Sequence, residues 1–313
     1  MLMFVARRLL ATIPVLAMVA VFVFLMLRLT PADPAAILAG DNATTEQVAQ
    51  IRAKLGLDQP LLTQFAIWGG RLLHGDFGES FFFKKTVAEL IAQRLEPTLA
   101  LATATILLSI LIAVPLGVIA AYRHETWVDR FVMALSVFGF SVPVFVIGYL
   151  LIYVFAITLG WLPVQGYRSI TQGFWPFFER LILPASTLSV IYVALIARIT
   201  RASMLEVMNE DYIRTARAKG LSDRVVLIRH GLRTAAIPIV TVIGIGIALL
   251  IGGVVVTESV YGIPGIGRLT VDAVLARDFP TIQAVVLLFS FVYVLVNLLI
   301  DLAYVLLDPR IRY

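Results

Sequence analysis

Six long runs of apolar residues dominate this chain, and they limit its fold before any motif is considered. A helix rises about 1.5 Å per residue and the hydrocarbon layer of a bilayer is about 30 Å thick, so one crossing takes roughly 20 mostly apolar residues. Runs near that length cover Leu9 to Leu27, Thr98 to Ala121, Phe131 to Trp161, Leu181 to Ala197, Ile237 to Thr257 and Thr281 to Leu307. The first two carry no charge, and the last is interrupted only by Asp301. With 60% hydrophobic and 14% charged residues, the chain is far more apolar than a soluble domain of about 25% charged content. Backbone amides and carbonyls find no water inside lipid, so such runs close their own hydrogen bonds as helices or as strands of a closed barrel. Barrel strands would alternate in polarity over about ten residues, and these runs do not. The expected fold is an all-α integral membrane protein with about six transmembrane helices.

The first run has the basic start of a secretory signal, but it exceeds the usual h-region and ends at Arg28 instead of a small-residue cleavage site. It reads as a retained helix. The absence of cysteine forbids disulfides and thiolate metal sites without fixing a compartment.

Basic residues collect on alternate connections. Arg7 and Arg8 precede the first run, Arg123 and Arg130 follow the second, and Arg310 and Arg312 close the chain. The connection from Arg198 to Ala236 adds Arg198, Arg201, Arg214, Arg217, Lys219, Arg224, Arg229 and Arg233 against Glu206, Glu210, Asp211 and Asp223. With six crossings these fall on one side, which the positive-inside rule makes cytoplasmic, with both termini in it. The same rule accounts for the basic excess without nucleic acid as a partner.

The chain therefore divides into residues 1–29, the N-terminus and first helix; 30–97, an extracytoplasmic segment; and 98–313, a five-helix membrane core containing the cytoplasmic loop 198–236. Within 30–97, Thr44 and Gln47 form a T-x-x-Q capping pattern, Val48, Ile51 and Leu55 recur at helical spacing, and Gly56 supplies a stop. That pattern predicts a short amphipathic helix outside the membrane, packed on the bundle or facing a partner.

Catalytic constellations fail one by one. His74, His124 and His230 lie in separate loops without zinc-site spacing. Gly262 and Gly267 have the spacing of a phosphate loop, but Arg268 and Leu269 stand where Lys and Ser or Thr must contact phosphate and Mg²⁺. Gly139-Phe140-Ser141-Val142-Pro143 starts like a nucleophile elbow and then has Pro143 in place of the second glycine, where a membrane helix would kink.

The cytoplasmic loop is long and patterned. Asn209 or Asp211 can cap a short helix through Ala218, Gly220 can end it in a left-handed conformation, and Ser222 can cap a further helix carrying Val225, Val226, Ile228 and Leu232 toward the bundle. A helix lying across the membrane face can transmit a push from a cytoplasmic partner; the plainer reading is a basic loop held by lipid headgroups.

At this loop the sequence resembles the permease subunits of ABC importers of the dipeptide, oligopeptide and nickel group. The run EDYIRTARAKGLS, Glu210 to Ser222, carries the likeness most specifically. TPADP, LGLDQPLLTQF, HGDFGES, ARITRASMLEVM, ESVYGIPGIGRL, NLLID and the terminal DPRIRY extend it along nearly the whole chain. The wider superfamily motif is E-A-A, three residues, then G. Arg214, Thr215 and Ala216 occupy its first three places and Gly220 its glycine, a departure shared with the dipeptide group. The resemblance implies a subunit with no cofactor of its own, working with a second related permease, two ATPase subunits or domains that bind ATP and Mg²⁺, and an extracytoplasmic binding protein. It further implies a bacterial or archaeal cytoplasmic membrane, and ATPase contacts at Glu210, Asp211, Tyr212, Thr215, Ala216, Ala218 and Gly220. The cargo stays open between dipeptide, longer peptide, glutathione, metal chelate and sugar.

Two features inside the apolar runs read as packing or path. Gly244, Ala248 and Gly252 recur every four residues and make a seam that a second helix can approach. Asp301 needs a partner within the bundle, such as Asn297 one turn away or an arginine near the cytoplasmic face. A secondary transporter would show inverted repeats and mid-membrane ionisable groups, and a membrane enzyme would show a convergent catalytic set. Neither pattern is legible here.

Overall fold

The computed structural model describes residues 2–29, 33–39, 43–54 and 56–307. The DPRIRY tail, Leu55 and the first three residues of TPADP lie outside them. Helix α1 (Leu2–Leu29) precedes three short helices, α2 (Pro34–Ala39), α3 (Thr45–Lys54) and α4 (Leu61–Leu73). Then come α5 (Val87–Tyr122), α6 (Trp127–Ser141), α7 (Val144–Leu151) with a π-helical continuation over Ile152–Thr158, and α8 (Phe174–Met208). The chain continues through α9 (Asp211–Ala218), α10 (Asp223–Val225), a second π-helical stretch over Val226–Leu232, α11 (Arg233–Val260), α12 (Ile266–Leu275) and α13 (Phe279–Leu307).

Among the described residues, four helices are long and apolar enough to cross a membrane: Val87–Tyr122, Phe174–Met208, Asp223–Leu250 and Phe279–Val305. A fifth crossing results if Trp127–Ser141 and Val144–Thr158 count as one span. Helix α1 has 28 residues with a shorter apolar stretch over Leu10–Met26, so by length and composition the described residues give four or five spans against the about six expected.

Two sequence expectations need correction. The run from Phe131 to Trp161 is a broken pair bent by 103°, not one kinked helix. Pro143 lacks an N–H and excludes the α conformation from the residue before it, so Val142 turns extended, at φ −89 and ψ 127, and α7 starts afresh. The loop expected from residue 198 begins only after Met208, because α8 runs on for eleven more residues. Thr200, Ser203, Met204 and Val207 recur on its buried face, so burial extends the helix past the point where charges begin.

One compact unit comprises Leu2–Leu95 and Leu269–Val294. Its α3 has the expected capping box: the Thr44 N–H donates to Gln47 Oε1 at 3.0 Å and the Gln47 N–H to Thr44 Oγ1 at 3.3 Å. The stop at Gly56 (φ +64) pairs the Leu57 N–H with the Arg52 carbonyl. The LGLDQPLLTQF motif serves Gln64, whose Oε1 accepts from Arg28 at 3.1 Å and whose Nε2 donates to the Gln59 carbonyl at 2.8 Å. The Arg28 guanidinium lies 3.9 Å over the Phe24 ring, which packs edge-on against Phe65. In HGDFGES, the Gly78 N–H, foremost, and Arg71 hold the Asp76 carboxyl below its usual pKa. Ser80 donates to the fully buried Asp278, which also accepts from the Phe81 N–H at 3.0 Å and from Thr281 Oγ1 at 2.7 Å.

The other unit comprises Glu96–Arg268 and the chain from Leu295 onward. Its main core sets Leu188, Tyr192 and Ile196 of α8 against Val242, Leu250 and Val254 of α11. A Cβ at Gly246 or Gly253 would come within 3.2 Å of Tyr192 or 3.0 Å of Leu188, so these glycines permit the α8–α11 approach. The Tyr261 hydroxyl sits 2.7 Å from Thr187 Oγ1 and 3.3 Å from the Gly148 carbonyl oxygen, joining α11 to α8 and α7. The expected glycine seam is used differently. At Gly244 a Cβ would fall 2.0 Å from Ile300 of α13, Ala248 is half-buried, and Gly252 has nothing within 4 Å. Among the described residues, close approach along this row is therefore confined to Gly244. Asp301 is half-buried and engaged, and Tyr304 one turn away donates to Thr241 Oγ1 at 2.7 Å.

Candidate functional site

The residues singled out in EDYIRTARAKGLS form a one-sided helix. Glu210 is its N-cap residue at φ −70 and ψ 147, without a side-chain cap; Asn209, expected as a possible cap, instead donates to the Leu205 carbonyl at the end of α8. Ile213, fully buried, and Ala216, 7% exposed, lie three residues apart on the inward face of α9. They join Met204 and Val207 of α8, Val226, and Ala235 and Ile239 of α11 in a second apolar cluster. Ala216, expected among the partner contacts, therefore supports the helix from beneath.

The outward face carries Asp211, Arg214, Thr215, Arg217 and Ala218. Asp211 and Arg214 pair at 3.4 Å across one turn, both largely in solvent, so the pair orients side chains more than it stabilises the helix. Tyr212 is 42% exposed and its hydroxyl donates to Thr234 Oγ1 at 3.0 Å, bracing one end of α9 against α11. Thr215 Oγ1 donates back to the Asp211 carbonyl at 3.0 Å. Gly220 stands at φ +79, with the Leu221 N–H bonded to the Ala216 carbonyl and its own N–H to the Arg217 carbonyl, a Schellman stop. A Cβ there would meet nothing within 4 Å, so only backbone conformation requires glycine in this chain. Beyond the stop, Val226 is fully buried, whereas Ile228, expected to face the bundle, is 53% exposed because the π-helical stretch shifts the facing register.

Two polar centres of this unit are not legible in the sequence. Glu258, fully buried at the end of α11, accepts from Thr98 Oγ1 at 2.6 Å and from the Arg268 N–H at 2.9 Å. Thr98 accepts in turn from the Ile266 N–H at 2.8 Å. A Cβ at Gly265 would lie 2.0 Å from Glu258 Oε1, and one at Gly267 would lie 2.7 Å from Val255 Cα. The glycines of ESVYGIPGIGRL thus make room for a buried carboxylate seated at a helix N-terminus, where charge and donors favour it. An acidic residue closing an apolar run, followed by three glycines, was the available signal. The second centre joins Asp129 of α6 to Arg201 of α8. Among the described residues no group of three or more His, Asp or Glu could hold a metal ion.

Comparisons with known proteins agree with this architecture. Residues 113–313 match the family described as "Binding-protein-dependent transport system inner membrane component", and residues 1–102 match its N-terminal companion. The chain is 57% identical over 310 residues to a probable peptide ABC transporter permease protein of Sinorhizobium fredii, covering 99% of each. It is 45% identical over 313 residues to a glutathione transport system permease protein of Salmonella typhimurium, covering 100% of each. A putative peptide transport system permease protein of Brucella abortus is 44% identical over 309 residues, with 99% of this chain and 98% of the relative covered. Among solved structures, an inward-facing methionine ABC transporter superposes with a TM-score of 0.59 at 18% identity, over 70% of this chain and 96% of that one, a likeness of fold. The chain belongs to the inner-membrane-component family of binding-protein-dependent transport systems, and it is an all-α permease subunit of an ABC importer, a transport component and not an enzyme.

Proposed function

We propose that the chain forms half of a translocation path for peptides or peptide-like solutes such as glutathione, completed by a second, homologous permease. Two ATPase subunits or domains bind ATP and Mg²⁺, the chain itself holding no cofactor, and an extracytoplasmic binding protein delivers cargo. The observation that carries this reading is α9: it is clamped from within by Ile213 and Ala216, stopped by Gly220, and offers Glu210, Asp211, Tyr212, Thr215 and Ala218 outward. A short helix held rigidly on its inner face and free on its outer face can pass a push into the bundle. The names of the peptide and glutathione relatives support the cargo class. The test is reconstitution of the complete complex in vesicles, with uptake of labelled dipeptides and glutathione measured against a sugar control. Uptake of the sugar alone would overturn the cargo reading.

In this reading both termini and α9 are cytoplasmic. A topology reporter fused after Gly220 should register inside, and reporters at Glu46 or Asp272 outside. A reversed pattern would sink the orientation. The purified chain by itself should turn over no ATP, since Arg268 and Leu269 replace the lysine and hydroxyl of a phosphate loop. Turnover by a contaminant-free preparation, abolished by no ATPase inhibitor of the partner class, would contradict the division of labour.

A further inference from the structure

The Arg201–Asp129 centre lies off the outward face of α9, yet it ties together helices that a push on α9 must move. Asp129 is 3% exposed. Its Oδ1 accepts from Arg201 Nε, and its Oδ2 from Arg201 Nη2 at 2.7 Å and from the Glu125 N–H at 3.1 Å. His124 Nδ1 lies 3.1 Å from the same Oδ2. Glu125 stands at φ +63, so the carboxylate also pins a turn conformation that residues other than glycine rarely adopt. A two-pronged guanidinium–carboxylate pair fixes distance and rotation together. One residue before Arg201, a Cβ at Gly117 of α5 would fall 2.6 Å from Thr200 Cβ. Helices α5, α6 and α8 are thus joined at one level. Further along α8, Met204 and Val207 enter the cluster that seats Ile213 and Ala216 of α9. In the other direction α6 ends at Val142 and Pro143, the 103° bend into α7.

We propose that Asp129 and Arg201 are positioning residues for coupling: the pair locks α6 to α8, so that a displacement of α9 reaches the α6–α7 bend with both helices moving as one body. The inference rests on α9 as the ATPase-docking helix. By linkage, a signal from a binding protein on the far side travels the same route in reverse.

The test uses the complex reconstituted with its ATPases and binding protein. Asp129→Ala should leave ATPase co-purification and basal ATP turnover unchanged, while stimulation by the liganded binding protein falls about fivefold or more. A covalent substitute should restore it. The chain has no cysteine, so Gly139→Cys with Ala194→Cys gives one defined bridge between α6 and α8. A Cβ at Gly139 lies 3.4 Å from that of Ala194, near the spacing a disulfide takes, and Val190→Ala relieves the adjacent 3.0 Å contact. The oxidised bridge should leave stimulation intact when Asp129 is present and rescue it in Asp129→Ala, with reduction undoing the rescue. Full stimulation in Asp129→Ala, or a bridge that abolishes stimulation with Asp129 present, overturns the proposal, the latter because α6 and α8 would then move against each other. If Asp129→Ala lowers abundance, the bridged chain retaining Asp129 decides alone. Failure of the ATPases to co-purify with the unaltered chain would instead remove the docking reading itself.

Discussion

Gly265→Ala should lower the unfolding midpoint of the detergent-solubilised chain by about five degrees, corresponding to roughly 3 kcal/mol. The new methyl would lie 2.0 Å from Glu258 Oε1 and 2.2 Å from Cδ, so the carboxylate has to leave its seat. Its departure strands the Arg268 N–H and the Thr98 hydroxyl in a place from which water is excluded. Charge-assisted bonds of this kind contribute about 1.5–3 kcal/mol each, and loss of one partner costs the desolvation of the other. Glu258→Ala should match Gly265→Ala in magnitude. The double variant should be no worse than Glu258→Ala alone, because both changes remove the same bonds and their effects cannot add. Thermal unfolding followed by tryptophan fluorescence reads all three. Additive losses would show that Gly265 serves something other than the carboxylate.

Gly220→Val should cut uptake by the reconstituted complex about tenfold, with membrane abundance unchanged. At φ +79 a β-branched side chain carries a backbone strain of about 1–3 kcal/mol, which is about 5- to 150-fold in an equilibrium and brackets a tenfold loss. Within the chain the added side chain begins in open space, so the cost falls on the stop of α9 and on whatever docks over it, not on the bundle core. Gly220→Ala should be intermediate. Uptake, ATPase co-purification and binding-protein-stimulated ATP turnover are measured in one preparation. Full uptake and full stimulation by Gly220→Val at normal abundance would exclude α9 and its stop from coupling.

The apolar character of the membrane segments, the capping box of α3 and the glycine stop of α9 were legible in the sequence because each depends on the local run of residues or on neighbours within one or two turns. Apolar length fixes whether a segment can enter lipid, and a cap or stop is closed by neighbours three to five residues away. The one-sidedness of α9 was only half legible. Ala216 reads as a small contact residue in the motif, and its inward direction follows from the phase of a helix set by Ile213 against α8 and α11. The same holds for Ile228, turned outward by a π-helical stretch that no short-range pattern announces. In the sequence Pro143 reads as a kink; the 103° break goes with the packing of α6 on α8 and of α7 on α11 as well as a missing N–H. The seats of Glu258, Asp129 and Asp278 were decided by tertiary structure alone. Each carboxylate is held by groups that lie from three to about two hundred residues away, and what fixes such a pairing is burial: only when helices close around a charge does the cost of leaving it unpaired select its partners.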